Sequence, residues 1–190
     1  MKAPPKHLVP HVAWPELRRL AGLTVAGSLV AGAYGTLHDQ LTFTLAPEYF
    51  TQLKFAQFQW AELGLSPRAF VAEIGFLATW WVGFVTTWFF ARIAAPRLDP
   101  SALTRACTGL WVQLFAGAAL CGGGGYLLGP AWYLNSPEWL EGFANAQITN
   151  PHAFAQVAGI HLGGYLGALG AWLWAMFGTI RLPLLAKGDI

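Results

Sequence analysis

Four long apolar stretches dominate the pattern of hydrophobic and polar positions along the chain. They cover approximately residues 20–37, 69–93, 103–128 and 152–180. A helix needs roughly 20 predominantly apolar residues to cross about 30 Å of hydrocarbon, and each stretch meets or approaches this length. The pattern predicts an all-α integral membrane four-helix bundle that forms a single transmembrane domain over residues 1–190.

Capping residues followed by proline mark the starts of three predicted helices. Ser66-Pro67, Asp99-Pro100 and Asn150-Pro151 each place a side chain that can cap a helix before a residue suited to its first turn. At the C-terminal end of the third helix, the glycine run 122–125 and Gly129-Pro130 predict that the helix ends or loosens.

Two connections are long and unusually apolar. Residues 41–67 and 130–151 both carry several aromatic side chains, which are poorly suited to hanging in water. The stretch from Glu48 to Trp60 has the spacing of a short amphipathic helix. We expect both connections to fold down as a lid over the outer end of the bundle.

The composition agrees with a membrane protein. Charged residues make up 11% of the chain, against about 25% in a typical soluble domain. The chain also has 10 Trp and 22 Gly, and both residues are frequent in membrane helices or at their interfaces. Cys107 and Cys121 lie in one predicted helix, too far apart for a disulfide, which leaves no support for thiol redox chemistry.

The distribution of basic residues predicts the orientation. Nine of the 11 lysines and arginines lie before the first helix, between the second and third, or after the fourth. The positive-inside rule then places both termini in the cytoplasm, as expected for a bacterial inner-membrane protein. The outer side has six acids and two bases, a local charge near −4 (2 − 6), which disfavours nucleic acid as a partner.

The most informative positions are ionisable residues within or beside apolar stretches. His38 and Asp39 follow the first stretch, Glu73 lies inside the second and His161 lies inside the fourth. A charge at the centre of a bilayer costs roughly 2.5–3.5 kcal/mol on insertion scales, so such residues usually face the protein interior and act there.

The predicted depths of His38, Glu73 and His161 are similar, which allows them to converge near the outer leaflet. Two imidazoles and a carboxylate with open positions are typical of non-haem iron and also suit zinc or copper. We therefore predict a transition-metal site, without distinguishing Fe, Zn and Cu. The predicted ligands are His38, Glu73 and His161, with Asp39 and Glu48 as further candidates, and Gln40, Tyr34 and Tyr165 as hydrogen-bonding residues around them.

Several alternatives remain open at this point. Each candidate can instead be an ordinary interfacial or core residue, and His152, His7 and His11 are expected to be unrelated. A haem held by His38 and His161 is a weaker hypothesis, because carboxylates at the same level favour a small, hard cation. The possible functions are a metal-dependent enzyme acting on a lipophilic substrate, a non-catalytic accessory or assembly subunit of a larger membrane complex, and an oligomeric transporter. The expected partners are membrane lipid and either a second copy or a larger complex.

The polar strings also resemble a pattern found in small bacterial membrane proteins. They are YGTLHDQ at 34–40, EYF at 48–50, KF at 54–55, ATWWVG at 78–83 and the pair Ile160-His161. The resemblance is to a family of small, uncharacterised four-helix bacterial membrane proteins and implies no known activity.

Overall fold

The computed structural model describes residues 14–184, and no strand occurs in this range. The helices are α1 (Trp14–Leu45), α2 (Pro67–Ala94), α3 (Pro100–Tyr133), α4 (Pro137–Asn145) and α5 (Pro151–Ile180). Helices α1, α2, α3 and α5 are long and apolar enough to cross a membrane, which confirms the predicted all-α four-helix membrane bundle. His7 and His11 lie outside the described residues.

The predicted caps are present at three helix starts. The Ser66 hydroxyl accepts a hydrogen bond from the backbone N–H of Ala69, and the Asn150 side chain accepts one from Ala153. The carboxylate of Asp99 accepts from two backbone N–H groups in the first turn of α3. These bonds satisfy donors that have no partner within the helix.

Two helices extend further than their apolar stretches. Helix α1 continues past Leu37 to Leu45, and α3 continues through the glycine run and Pro130 to Tyr133, so the predicted helix end at the glycines is wrong. In α1 the hydroxyls of Thr42 and Thr44 bond to carbonyls one turn back, which lets polar residues remain helical. In α3, Gly125 and Gly129 allow close packing against α5.

The four long helices form two tightly packed pairs, α1 with α2 and α3 with α5. A Cβ atom added at Gly75 would collide with the Gly35 backbone, and one added at Gly159 would collide with the Gly125 backbone. Small residues at such positions let helix backbones approach closely in membranes. The glycines of α5 therefore form a close packing interface with α3.

Both long connections pack over one end of the bundle. The first lid segment, Pro47–Ala61, is a series of short helical turns, and α4 forms the second lid segment. Their buried aromatic residues join those of the long helices in one cluster that includes Tyr49, Phe50, Tyr133, Phe143 and Phe154. We call this end, where α1 and α3 finish and α2 and α5 begin, the site end.

A second buried cluster lies at the opposite end of the bundle. It contains Leu20 of α1, Phe90 of α2 and Leu103, Cys107 and Leu110 of α3. Both cysteines are free; Cys107 is buried in this cluster, as expected for a small core residue, and Cys121 is exposed. The two helix pairs are thus joined at both ends of the bundle.

Candidate metal centre and the cavity beside it

Three ionisable side chains meet at the site end, between the two helix pairs. His38 and Asp39 come from α1, and His161 comes from α5. One possible ligand atom from each lies within 4.8 Å of the other two. The structure thus brings together two residues far apart in sequence, His38 and His161, together with the adjacent Asp39.

The backbone geometry explains why His161 faces α1. Gly159 and Gly163 contact the backbone of α3, and His161, two residues from each, projects from a different side of α5. Asp39 is 4% exposed, so its carboxylate also lies inside the bundle. The Nε2 atom of His161 is 3.9 Å from Oδ1 of Asp39.

Aromatic rings surround the two imidazoles. The Tyr34 ring stacks on His38 at a centroid distance of 5.5 Å, and the Tyr49 ring stacks on His161 at 4.9 Å. The two imidazole rings are 5.1 Å apart with an interplanar angle of 85°. Phe50 also contacts His161 from the first lid segment. These contacts restrict the ring orientations and limit access of water to the site.

The donor set fits a transition-metal ion. Two atoms bound to one ion lie at most about 4 Å apart, because a metal bond to histidine or carboxylate is about 2.0–2.2 Å long. The observed separations, within 4.8 Å, need side-chain shifts of less than about 1 Å to meet this limit. The Nε2 atom of His161 is also buried and has no hydrogen-bond partner among residues 14–184. Buried polar atoms of this kind are rare and call for an explanation, and a bound cation supplies one.

Lys54 adds a positive charge next to this group. It lies at the end of a π-helical turn, Phe50–Lys54, and its Nζ atom is 5.6 Å from the centre of the Tyr49 ring. Burial lowers the pKa of the Lys54 ammonium, and the Asp39 carboxylate opposes part of this shift. Burial also raises the pKa of the Tyr49 phenol, which keeps that group neutral.

Two predicted ligands lie outside the group. Glu73 is partly buried on α2, and its Oε2 atom has no hydrogen-bond partner among the described residues. It is not one of the three residues that meet. The Glu48 carboxylate instead accepts hydrogen bonds from Thr149 and from the backbone N–H of Asn150, at 2.8–2.9 Å. Glu48 thereby fastens the first lid segment to the start of α5.

The three residues predicted to surround the ligands have different roles. Tyr34 stacks on His38, as described above. The Tyr165 hydroxyl donates a hydrogen bond to the carbonyl of Ala78 on α2, and the Gln40 side chain bonds to Arg68 at the start of α2. Tyr34 and Tyr165 line the site region, whereas Gln40 ties α1 to α2.

A cavity of about 80 Å³ extends from the three ionisable residues into the bundle. All four long helices and Lys54 line it, and most of its wall is apolar. Two tyrosines beside the cavity join the helix pairs. Tyr34 of α1 stacks on Phe115 of α3, and the Tyr165 hydroxyl of α5 donates a hydrogen bond to α2. The cavity is therefore polar at the site end and apolar further into the bundle.

The sequence prediction missed the contribution of the first lid segment. Lys54, Tyr49 and Phe50 all contact the site or line its cavity. One signal was available: Lys54 is a single cation in the otherwise uncharged stretch from Tyr49 to Trp60, and an isolated charge among apolar residues often has a partner in the protein interior.

Comparison with known proteins gives no relative from which a function can be transferred. No protein-family description, curated protein or solved structure matches the chain.

Proposed function

We propose that this membrane protein binds a divalent transition-metal ion through His38, Asp39 and His161. The observation that carries the proposal is the buried Nε2 atom of His161. It lacks a hydrogen-bond partner in the part of the chain that the structure describes, and it lies 3.9 Å from the Asp39 carboxylate. That distance is too long for a hydrogen bond, but it lies within the largest separation that two ligands of one ion can have. The choice among Fe, Zn and Cu stays open, since imidazole and carboxylate suit all three.

Three protein ligands favour a reactive site over a purely structural one. Structural zinc sites usually have four protein ligands, whereas catalytic sites have three and keep a position for water or substrate. When bound, such an ion supplies Lewis-acid or redox chemistry and can lower the pKa of a coordinated water. The apolar cavity beside the ligands favours a lipophilic substrate. A metal-binding accessory subunit of a larger membrane complex is the main alternative.

The geometry does not favour haem. The rings of His38 and His161 are 5.1 Å apart and nearly perpendicular, at 85°. A haem bound between two histidines would need a flat space for its macrocycle between the two rings. The rings of His38 and His161 instead contact each other edge to face. A small ion suits the close approach of the two rings.

The proposed cellular location is a bacterial inner membrane, with both termini cytoplasmic and the site near the outer leaflet. The excess of basic residues on one side of the helices supports this orientation. The site end then faces the periplasm, and the two lid segments separate the metal centre from it.

Elemental analysis of the purified protein tests the proposal. The wild type should retain close to one metal ion per chain, and His161→Ala and Asp39→Asn should lose most of it. His152→Ala is a matched control, because His152 is exposed in the first turn of the same helix. Wild-type protein without metal above background, after growth with each candidate metal, would refute the proposal; a Soret absorption band would replace it with haem.

A further inference from the structure

The cavity beside the candidate metal centre is small and narrow. Its volume is about 80 Å³, and a molecule of water takes about 30 Å³ in the liquid, so the cavity has room for about two or three heavy atoms. On α1 its lining runs from His38 to Gly27, a length of about 16 Å at 1.5 Å per residue. So small a volume over this length leaves a passage that excludes acyl chains and aromatic rings.

The wall of this passage is suited to an apolar guest. Small side chains of three helices line it, namely Ala78, Ala118 and Ala168. The Thr79 hydroxyl, also in the wall, donates its hydrogen bond to the Ala31 carbonyl, and the Trp111 indole N–H at the far end donates to Thr87. A buried water needs two to four polar partners, and these protons are already bonded within the protein. We therefore expect the apolar part of the cavity to stay free of water.

Tyr165 lies between the cavity and the lipid. It lines the cavity, is 44% exposed, and donates a hydrogen bond from its hydroxyl to the Ala78 carbonyl on α2. Rotation of this one side chain breaks a single hydrogen bond and opens the cavity between α2 and α5. A guest then enters from the hydrocarbon of the membrane, in which apolar gases dissolve better than they do in water.

We propose that the cavity binds one small, uncharged and apolar molecule, the chemical class to which dioxygen belongs. The guest enters beside Tyr165, and the same cavity leads it to His38, Asp39 and His161 at the polar end. Binding depends on the size and the polarity of the wall, and it needs no metal. Only the use of the guest at the metal centre rests on the proposed function, since two histidines and a carboxylate with open positions are typical of iron sites that react with dioxygen.

Dioxygen itself is the probe that tests this inference, because it is paramagnetic and speeds the relaxation of nearby fluorine nuclei. The sample is the protein labelled with 5-fluorotryptophan, in phosphatidylcholine nanodiscs and produced with zinc, which has no redox chemistry. The Trp111 signal is assigned by its loss in Trp111→Phe. Its relaxation rate is compared under dioxygen and under dinitrogen at the same pressure, and the difference is the dioxygen effect.

Ala118→Leu fills the cavity and should reduce the dioxygen effect at Trp111 at least threefold. Ala119→Leu makes the same change at the next residue, which is exposed on α3, and should leave the effect as in the wild type. The Trp174 signal, from an exposed residue on α5, should respond equally in all variants. Ala168→Val, a smaller change deeper in the cavity, should also reduce the effect at Trp111, and it answers the same question if Ala118→Leu does not fold.

The size of the guest has its own comparison. Benzene binds in an engineered protein cavity of about 150 Å³, so saturating benzene should not lower the dioxygen effect at Trp111. Displacement of dioxygen by benzene would overturn the assignment to small molecules. An equal effect at Trp111 in the wild type, Ala118→Leu and Ala168→Val would overturn the cavity site itself.

These outcomes are separable from those for the metal. If the metal proposal fails, the wild type contains no metal, but the dioxygen effect at Trp111 remains and depends on Ala118. If the cavity inference fails, the wild type retains metal through His161, and the dioxygen effect at Trp111 does not depend on Ala118.

Discussion

The Nε2 atom of His161 lies 3.9 Å from Oδ1 of Asp39, and these two residues belong to different helix pairs. An ion bound between them, as proposed above, would therefore join the two pairs. A ligand that binds only the folded state stabilises it by about 2.7 kcal/mol when present at 100 times its dissociation constant. Metal binding should thus be measurable as an increase in the free energy of unfolding.

Asp39→Asn should reduce this metal-dependent stabilisation. If the substitution weakens metal affinity tenfold, the gain at the same metal concentration falls to about 1.4 kcal/mol. Unfolding in mild detergent, with and without chelator, measures the difference. Glu141→Gln, which changes an exposed acid on α4, should keep the full gain. An unchanged gain in Asp39→Asn would remove Asp39 from the ligand set.

Glu48→Gln should destabilise the lid in a pH-dependent manner. Hydrogen bonds from Thr149 and Asn150 hold the pKa of Glu48 below its ordinary value of 4.5. The ionised carboxylate therefore stabilises the fold fully above pH 4.5, and this contribution is lost as the pH falls through the lowered pKa of the folded state. We expect Glu48→Gln to cost about 1 kcal/mol at neutral pH, after allowance for solvent exposure.

Unfolding of the wild type and Glu48→Gln at neutral and acidic pH checks this prediction. The difference between them should shrink towards zero in acid. Glu62→Gln, in the same connection and exposed, should match the wild type at both values. A difference that does not change with pH would mean that the substitution acts through packing and not through the charge.

Gly125→Ala should disrupt the α3–α5 pair. Its added methyl group would collide with the backbone of Gly159, and overpacking of this kind typically costs 1–3 kcal/mol. The control is Gly123→Ala, because a Cβ atom there meets nothing within 4 Å. Resistance to unfolding by denaturing detergent ranks the two variants. Equal stability would show that the close backbone approach does not limit packing.

Trp111→Phe should weaken the contact between the helix pairs at the far end of the cavity. It removes the hydrogen bond to Thr87, and such bonds between membrane helices contribute about 0.6 kcal/mol on average, up to about 1.7. Trp174→Phe changes a residue that is 74% exposed and should have no effect on stability. Thermal unfolding of the two purified variants provides the comparison.

Reporter fusions check the proposed orientation. A reporter that is active only in the periplasm should be active when it is fused after Asn145. A reporter that is active only in the cytoplasm should be active when it is fused after Ile190. The reverse pattern would place the metal centre at the inner leaflet, because all its residues lie at one end of the bundle.

Much of the fold follows from the sequence because hydropathy reports helix position directly. The convergence of His38 and His161 was also predictable, because the two residues have similar predicted depths in the membrane. Hydropathy defines an apolar stretch and not its hydrogen bonding, which is why α1 and α3 extend beyond the predicted ends.

Rotational position within a membrane helix is harder to predict. All faces of α2 are apolar, so the pattern does not tell whether Glu73 faces the interior of the bundle. For the same reason it does not tell that Asp39, and not Glu73, meets His38 and His161. The path of the first lid segment depends on aromatic contacts with distant residues such as Phe154. No local pattern specifies that path, so the approach of Lys54 to the site was missed.

The division into two helix pairs has a consequence for assembly in the cell. Helices α1 and α2 are complete before α3 is synthesised, and their glycine contacts allow them to associate as soon as both are in the membrane. The second pair can form in the same way. Because His38 and Asp39 belong to the first pair and His161 to the second, neither half carries the site alone. The group of His38, Asp39 and His161 is therefore complete only after the second pair has packed against the first.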